Sequence, residues 1–328
     1  MNENSLAYKI FAEKYPKYFR ISEICIEKSA NFSDKITLFD LYDIDIEKEN
    51  KPIFGMFAGV HGIEAIGVKI LHEFLRHILE QVSWNESIRE LLKSVKIKGI
   101  PIVNPSGFRL GTRANRNGVD LMRNAPIESA VQIPFVGGQR ISNMFPWFRG
   151  SGLWEAENQI LLNLLRTDFM HTKFSLCLDI HSGFGTNDFL WTPYAKQKGF
   201  PPTWDQYTLL KNLLDSTLPN HIYRFQPQSE NYCTSGDFWD FIYEEFLQNS
   251  RSVENSRSER IFMPLTLEVG SWVWLKKSPL SAMRIRNYFN PVHPHREKRV
   301  LRRHLALLMF LVNFCANSSK LYDVKKSK

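Results

Sequence analysis

Two histidines and two glutamates in this sequence stand where they could do chemistry together. His61-Gly62-Ile63-Glu64 puts an imidazole and a carboxylate three residues apart, just after an apolar run at 52–60 and before a stretch of helical periodicity. In the first turn of a helix that spacing points both side chains to one side, where they can share a cation. Zinc takes imidazole nitrogen at about 2.0–2.1 Å and carboxylate oxygen at about 2.0–2.2 Å, and three protein ligands leave a fourth position for water. His181 supplies a third ligand: the apolar run at 174–180 ends in His181-Ser182-Gly183, a glycine-containing turn that exposes the ring at a sheet rim. Glu268 lies in another apolar run, 263–269. Taken alone, His181 reads equally well as a core histidine satisfied by backbone groups.

The pattern is not unique in the chain. His77-Ile78-Leu79-Glu80 repeats the spacing sixteen residues on, inside the helical stretch, where it reads as helix surface with intrahelical contacts. His293-Pro294-His295 also resembles a ligand pair, but its proline and neighbouring cations suggest a loop. What separates His61 and Glu64 from both is their place at the end of a strand.

The elements that must position them follow from apolar periodicity. Strand-length runs at 36–45, 52–60, 95–103, 174–180, 221–225 and 263–269 alternate with helical spacing at 63–82, 155–165, 207–214, 238–246 and 296–314. The polar segment 248–260 reads as an exposed loop. This alternation predicts an α/β fold with a mostly parallel or mixed central sheet, in which ligands gather beyond the carboxyl ends of the strands. His61, Asn104, His181 and Glu268 all fall there.

Seven ordered blocks across about two-thirds of the chain then resemble the zinc carboxypeptidase family, the group around carboxypeptidase A and its bacterial relatives. Gly59-Val60-His61-Gly62-Ile63-Glu64 is similar to the family's G-x-H-x-x-E, and Asn104-Pro105-Ser106-Gly107-Phe108 to its N-P-D-G block. Thr112-Arg113-Ala114-Asn115 through Asp120-Leu121-Met122-Arg123-Asn124 resembles T-R-x-N…D-L-N-R-N. The stretch from Trp147 to Glu157, Asp179-Ile180-His181-Ser182, the loop at Tyr232 and the strand at Glu268 complete the series.

The resemblance implies a three-layer α/β/α sandwich forming one catalytic domain over 1–328, and one Zn2+ on His61, Glu64 and His181. It makes Glu268 the general base and Arg113 the cation stabilising the developing oxyanion. It assigns Asp120 to the far nitrogen of His61, and Arg123 to a bidentate grip on the substrate's terminal carboxylate. Tyr232 becomes a donor closing over the substrate, and Asn104 a further residue of the substrate site. Counting on from Tyr232, the residue governing side-chain preference falls at Trp239, a large ring suggesting a short pocket, with Asp237 close enough to alter that preference. One departure stands out: the family has Asn before the gripping arginine, and here it is Met122, whose thioether donates no hydrogen bond.

Composition bounds the setting. The 328 residues carry a net charge of +8, concentrated in Arg296-Glu297-Lys298-Arg299, Arg302-Arg303 and a Lys325-to-Lys328 tail. These read as a solvated helix face and a terminus, not as the aromatic-interleaved stripe that nucleic acid requires, although a basic field can gather acidic substrates. No apolar run is long enough to span a membrane, and the opening residues lack the apolar core of a signal peptide. Four scattered cysteines without a C-x-x-C pair fit a reducing compartment, so a cytoplasmic location is expected. The expected function is a metallocarboxypeptidase acting on peptides. The alternatives are a zinc amidase or deacylase of N-acyl amino acids or murein-type peptides, and a non-catalytic binding module on the same fold.

Overall fold

The computed structural model describes residues 3–28, 33–46, 50–131, 137–252, 260–276 and 283–318. Three runs of buried apolar residues form its centre: β3 (Ile53–Ala58), β5 (Phe174–Ser182) and β8 (Ile261–Val269). Strands buried on both faces read as continuous rather than alternating apolar sequence, and they pair in parallel because helices cover both sides. With β4 (Lys96–Ile100) they make the parallel core of one eight-stranded mixed sheet. Its order is β1-β2-β4-β3-β5-β8-β6-β7, where β1 is Phe19–Lys28, β2 Ser33–Leu41, β6 Phe189–Thr192 and β7 Arg224–Pro227. The β1–β2, β2–β4 and β6–β8 pairings are antiparallel.

One face of the sheet packs against α2 (Ala65–Gln81) and α9 (Pro294–Ala316). Helix α2 turns Ile66, Ile70, Leu71, Phe74, Ile78 and Leu79 inward at helical spacing. The other face packs against α5 (Ala156–Leu164) and α7 (Phe238–Ser252), through Leu161, Leu165, Trp239, Ile242 and Phe246. Two apolar clusters thus lie on either side of one sheet, in the α/β/α arrangement implied by the sequence.

Several boundaries differ from the periodicity. The expected 221–225 strand is β7, three residues later, because His221 pairs with Asp215 and its ring stacks on Tyr223. The 36–45 strand stops at Leu41, where Asp43 instead builds a turn, its backbone N–H reaching Leu92. Residues 248–252 of the expected loop extend α7, while 253–259 and the lysine tail at 325–328 lie outside the described residues. Helices α1 (Glu3–Lys14) and α3 (Glu86–Ser94) and strands β1 and β6 carried no recognised signal. Helix α1 has no clear apolar face, and β6 has four residues, too few for a period.

On α9, Lys298, Arg299 and Arg302 face solvent, as expected of a solvated helix face. Arg303 is spent on the buried Asp188. His293 caps that helix with its ring stacked on His295.

Candidate metal centre and cleft

The parallel register sets the site. His181 and Glu268 are direct Cα partners on β5 and β8, one residue from the strands' carboxyl ends. Strand β3 ends at Ala58, and the turn after it carries His61 and Glu64 to the same rim before α2 begins. Gly62 is required there: a Cβ on it would sit 1.9 Å from the Gly107 carbonyl carbon, in the short helix α4 (Pro105–Leu110).

His61, Glu64 and His181 are all buried and offer ligand atoms within 4.8 Å of one another. His61 Nδ1 lies 3.2 Å from His181 Nδ1, and the Glu64 oxygens lie 2.9 Å and 3.1 Å from those two nitrogens. Ligands at zinc bond lengths around a tetrahedron stand about 3.3 Å apart, so the donor set fits a zinc ion. Both far nitrogens are committed to carboxylates: His61 Nε2 to Asp120 at 3.0 Å and His181 Nε2 to Asp179 at 2.7 Å. Those bonds aim both Nδ1 atoms at one point. The Glu64 carboxylate also accepts the Ser182 N–H at 2.9 Å. Burial opposes its charge, but His61 and His181 outweigh burial and hold the carboxyl far below its usual range.

The loop from Arg113 to Arg123 is fixed by buried polar contacts. Asn115 reaches Glu155 and Glu157, and Asn158 donates to the Leu121 carbonyl. Asp120 Oδ1 accepts from His61 and from the Met122 N–H, while Oδ2 accepts the Arg113 Nε–H at 2.8 Å. Burial works against the Asp120 charge, yet Arg113 and His61 hold its pKa well down. Arg113 also stands 3.5 Å from Glu64.

A cleft of about 850 Å³ opens over this group, lined by His61, Glu64, His181, Arg113, Arg123, Tyr232, Asp237 and Glu268. Glu268 accepts the Phe184 N–H at 2.9 Å. Burial, reinforced by the Glu64 charge, pushes its carboxyl up to about 8. Burial also raises the Tyr232 hydroxyl, which keeps its proton. Arg123 is buried, bonds the Met122 carbonyl at 3.0 Å, and has Asp237 at 3.8 Å; its Nε–H has no hydrogen-bond partner among the described residues. Gly236, at φ +77°, lets the chain pass the Arg123 carbonyl, where a Cβ would come within 1.9 Å.

Two expected substrate residues lie elsewhere. Asn104 is fully buried, caps α4 through the Gly107 N–H and holds the Val60 carbonyl, so its amide is consumed by the fold. Trp239 does not line the main cleft; it is buried beside a void of about 10 Å³ that shares Asp237 and Thr266 with the cleft, and its indole N–H donates to Asp179 at 2.8 Å. Ungapped counting ran through the start of a helix, where a residue's direction depends on the helical turn. The sequence reading missed Asp179, although a carboxylate two residues before a ligand on one strand shares its face. His77 bonds Gln81, and Glu80 pairs with Lys14 at the surface. Neither they nor the His293–His295 pair adds to the metal group among the described residues.

An α/β sheet thus carries, at the carboxyl ends of its strands, a buried His–Glu–His group that could hold a metal ion. The chain belongs to the zinc carboxypeptidase family, whose profile matches residues 20–269. It is similar to carboxypeptidase SOL1 of Arabidopsis thaliana, 24% identical over 280 residues, which is 84% of this chain and 51% of that protein. The chain therefore spans about half the length of that relative. It is also 26% identical over 125 residues to carboxypeptidase D of Anas platyrhynchos, covering 35% of this chain and 9% of the other. The fold is shared with carboxypeptidase A from Helicoverpa armigera at TM-score 0.71 and 17% identity, over 97% of this chain and 73% of that one. It is shared equally with thrombin activatable fibrinolysis inhibitor, at TM-score 0.71 and 17% identity, over 96% and 74%. No helix among the described residues is long and apolar enough to cross a membrane.

Proposed function

We propose that this chain is one zinc-dependent catalytic domain that removes the C-terminal residue of a peptide. The observation carrying the proposal is that a metal-type donor group, a buried glutamate and a buried arginine face one cleft. His61, Glu64 and His181 would hold the zinc ion, which would supply Lewis-acid chemistry for the scissile carbonyl and a bound water. Glu268 accepts the attacking water's proton and delivers it to the leaving amine. Burial and the Glu64 charge raise its pKa, which suits it to hold that proton, while His181 and Arg113 pull the other way. Arg113, held on Asp120, presents positive charge to the developing oxyanion. Arg123 holds the terminal carboxylate, and Tyr232 donates a hydrogen bond to the substrate.

The test is release of free amino acids from a peptide panel by the zinc-loaded protein, with each peptide also supplied as its C-terminal amide. Cleavage of free acids with sparing of amides supports the reading; stoichiometric zinc with no amide-bond hydrolysis on any acyl or peptidyl substrate defeats it.

A second reading, a zinc amidase or deacylase of N-acyl amino acids or murein-type peptides, gains support at Arg123. Asp237 and the Met122 carbonyl already face its guanidinium, and Met122 contributes no donor beside it. Equal turnover of acids and amides, or preference for N-acyl amino acids, favours this reading. The net charge of +8 supports a bias towards acidic substrates. The four cysteines, which form no disulfide, support a reducing compartment such as the cytoplasm.

A further inference from the structure

We propose that Trp239 and Asp179 act together as positioning residues for the metal ligand His181, the indole N–H fixing the carboxylate that fixes the imidazole. This rests on the metal reading of His61, Glu64 and His181, and it places Trp239 behind the metal rather than in a side-chain pocket.

A single oxygen carries the arrangement. Asp179 Oδ2 accepts both the His181 Nε2–H at 2.7 Å and the Trp239 Nε1–H at 2.8 Å. All three residues are buried, with Asp179 fully so. The second oxygen, Oδ1, has no hydrogen-bond partner among the described residues. A buried carboxylate is costly unless hydrogen-bonded, so the two N–H groups are its compensation. Without the indole, the imidazole alone would hold the carboxylate, leaving it freer to rotate and carry the ring with it.

The indole itself has little freedom. Its ring packs on Phe57 and Phe238, with centroids 5.4 Å away in each case. Its backbone N–H is held by Asp237 Oδ1 at 3.0 Å, where α7 begins. A rigid donor therefore reaches from one core cluster through the sheet rim to the metal ligand.

The brace on His61 is built differently. Asp120 has donors on both oxygens, from His61, Met122 and Arg113. Losing one leaves it anchored. Asp179 has no such redundancy, which makes Trp239 the more sensitive support.

The experiment measures zinc affinity of the full chain by competition with a chromogenic chelator, for wild type, Trp239→Phe and Asp179→Asn. Phe keeps an aromatic ring and removes the N–H. Outer partners of metal-bound histidines typically contribute about 10–100-fold in metal affinity, so Trp239→Phe should weaken zinc binding roughly tenfold and Asp179→Asn more. The zinc-free protein should melt at a lower temperature, because the buried carboxylate loses a donor, and the zinc-induced rise should shrink as well, while the ranking of C-terminal residues on the peptide panel stays unchanged. A change in that ranking at unaltered zinc affinity would return Trp239 to a specificity role and overturn the proposal. Should Trp239→Phe fail to fold, unchanged zinc affinity in Asp179→Asn overturns it alone. A wild-type chain that holds no zinc defeats the metal reading itself, whereas zinc-replete wild type with unaffected variants defeats only this proposal.

Discussion

His61-x-x-Glu64 and His77-x-x-Glu80 share a sequence pattern and differ in almost everything else. The first pair sits in the turn between a buried parallel strand and its helix, fully enclosed, and meets His181 and Asp120. The second lies within α2, where His77 meets Gln81 and Glu80 meets Lys14 in solvent. Neither spacing nor residue type distinguishes them. The strand end does, because parallel strands deliver their carboxyl termini to one rim, and side chains emerging there converge. A helix surface spreads its side chains outward instead.

That contrast can be broken most forcefully by exchanging the roles. His61→Ala or Glu64→Gln should abolish stoichiometric zinc, with loss of hydrolysis, whereas His77→Ala and Glu80→Gln should leave both unchanged; zinc content by atomic absorption decides. Retained zinc in His61→Ala would refute the metal assignment. Next in size, Glu268→Gln should keep its zinc and lower kcat about 10²–10⁴-fold. Full activity in that variant ends the general-base role. Arg123→Ala should then lower kcat/KM for free-acid peptides by roughly 10–150-fold, the worth of about 1.5–3 kcal/mol for a hydrogen bond to a charged group. The same variant should leave amidated peptides indifferent.

His304 sharpens the comparison from another side, since it is as buried as the ligands but stands outside the metal group. Burial, helped by Arg303, lowers its pKa to about 3. Its neighbours are Tyr223 at 2.9 Å and Asp188 at 3.5 Å. A neutral histidine in the fold that titrates near 6.5 when unfolded stabilises the protein above that pH, and the contribution is lost as pH falls towards 3. Stability should drop by about 2 kcal/mol from pH 6.5 to 5 through this residue. Urea midpoints across that range, flattened in His304→Gln, check it. The smallest effect belongs to the helix surface: Glu80→Ala breaks an exposed pair with Lys14 and should leave the urea midpoint nearly unchanged.

The long signals were legible in the chain. Strands β3, β5 and β8 read as apolar runs because both their faces are covered, and α2 reads by its inward stripe. The candidate ligands His61 and His181 stand out in the chain because they directly follow those runs. The short β6 and the polar-faced α1 were not, since four residues hold no period and α1 concentrates little apolar surface on one side. Asn104 and Trp239 were placed in the substrate site by alignment with blocks, yet their hydrogen-bonding groups are spent on backbone and on Asp179. A sequence block records residue type and order, not the direction in which a side chain leaves its element.

By itself, the sequence determined an α/β chain with a parallel core and the identity of three ligand-type side chains at its strand ends. Periodicity and strand-end position are local properties, written in consecutive residues. Only the tertiary structure decided that Asp179 holds the second imidazole, that Asp237 stands beside Arg123, and that Trp239 faces a carboxylate instead of the main cleft. Those contacts join residues as distant in sequence as Arg123 and Asp237. They depend on how α7 docks against β8 and residues 121–123, and no local pattern encodes that docking.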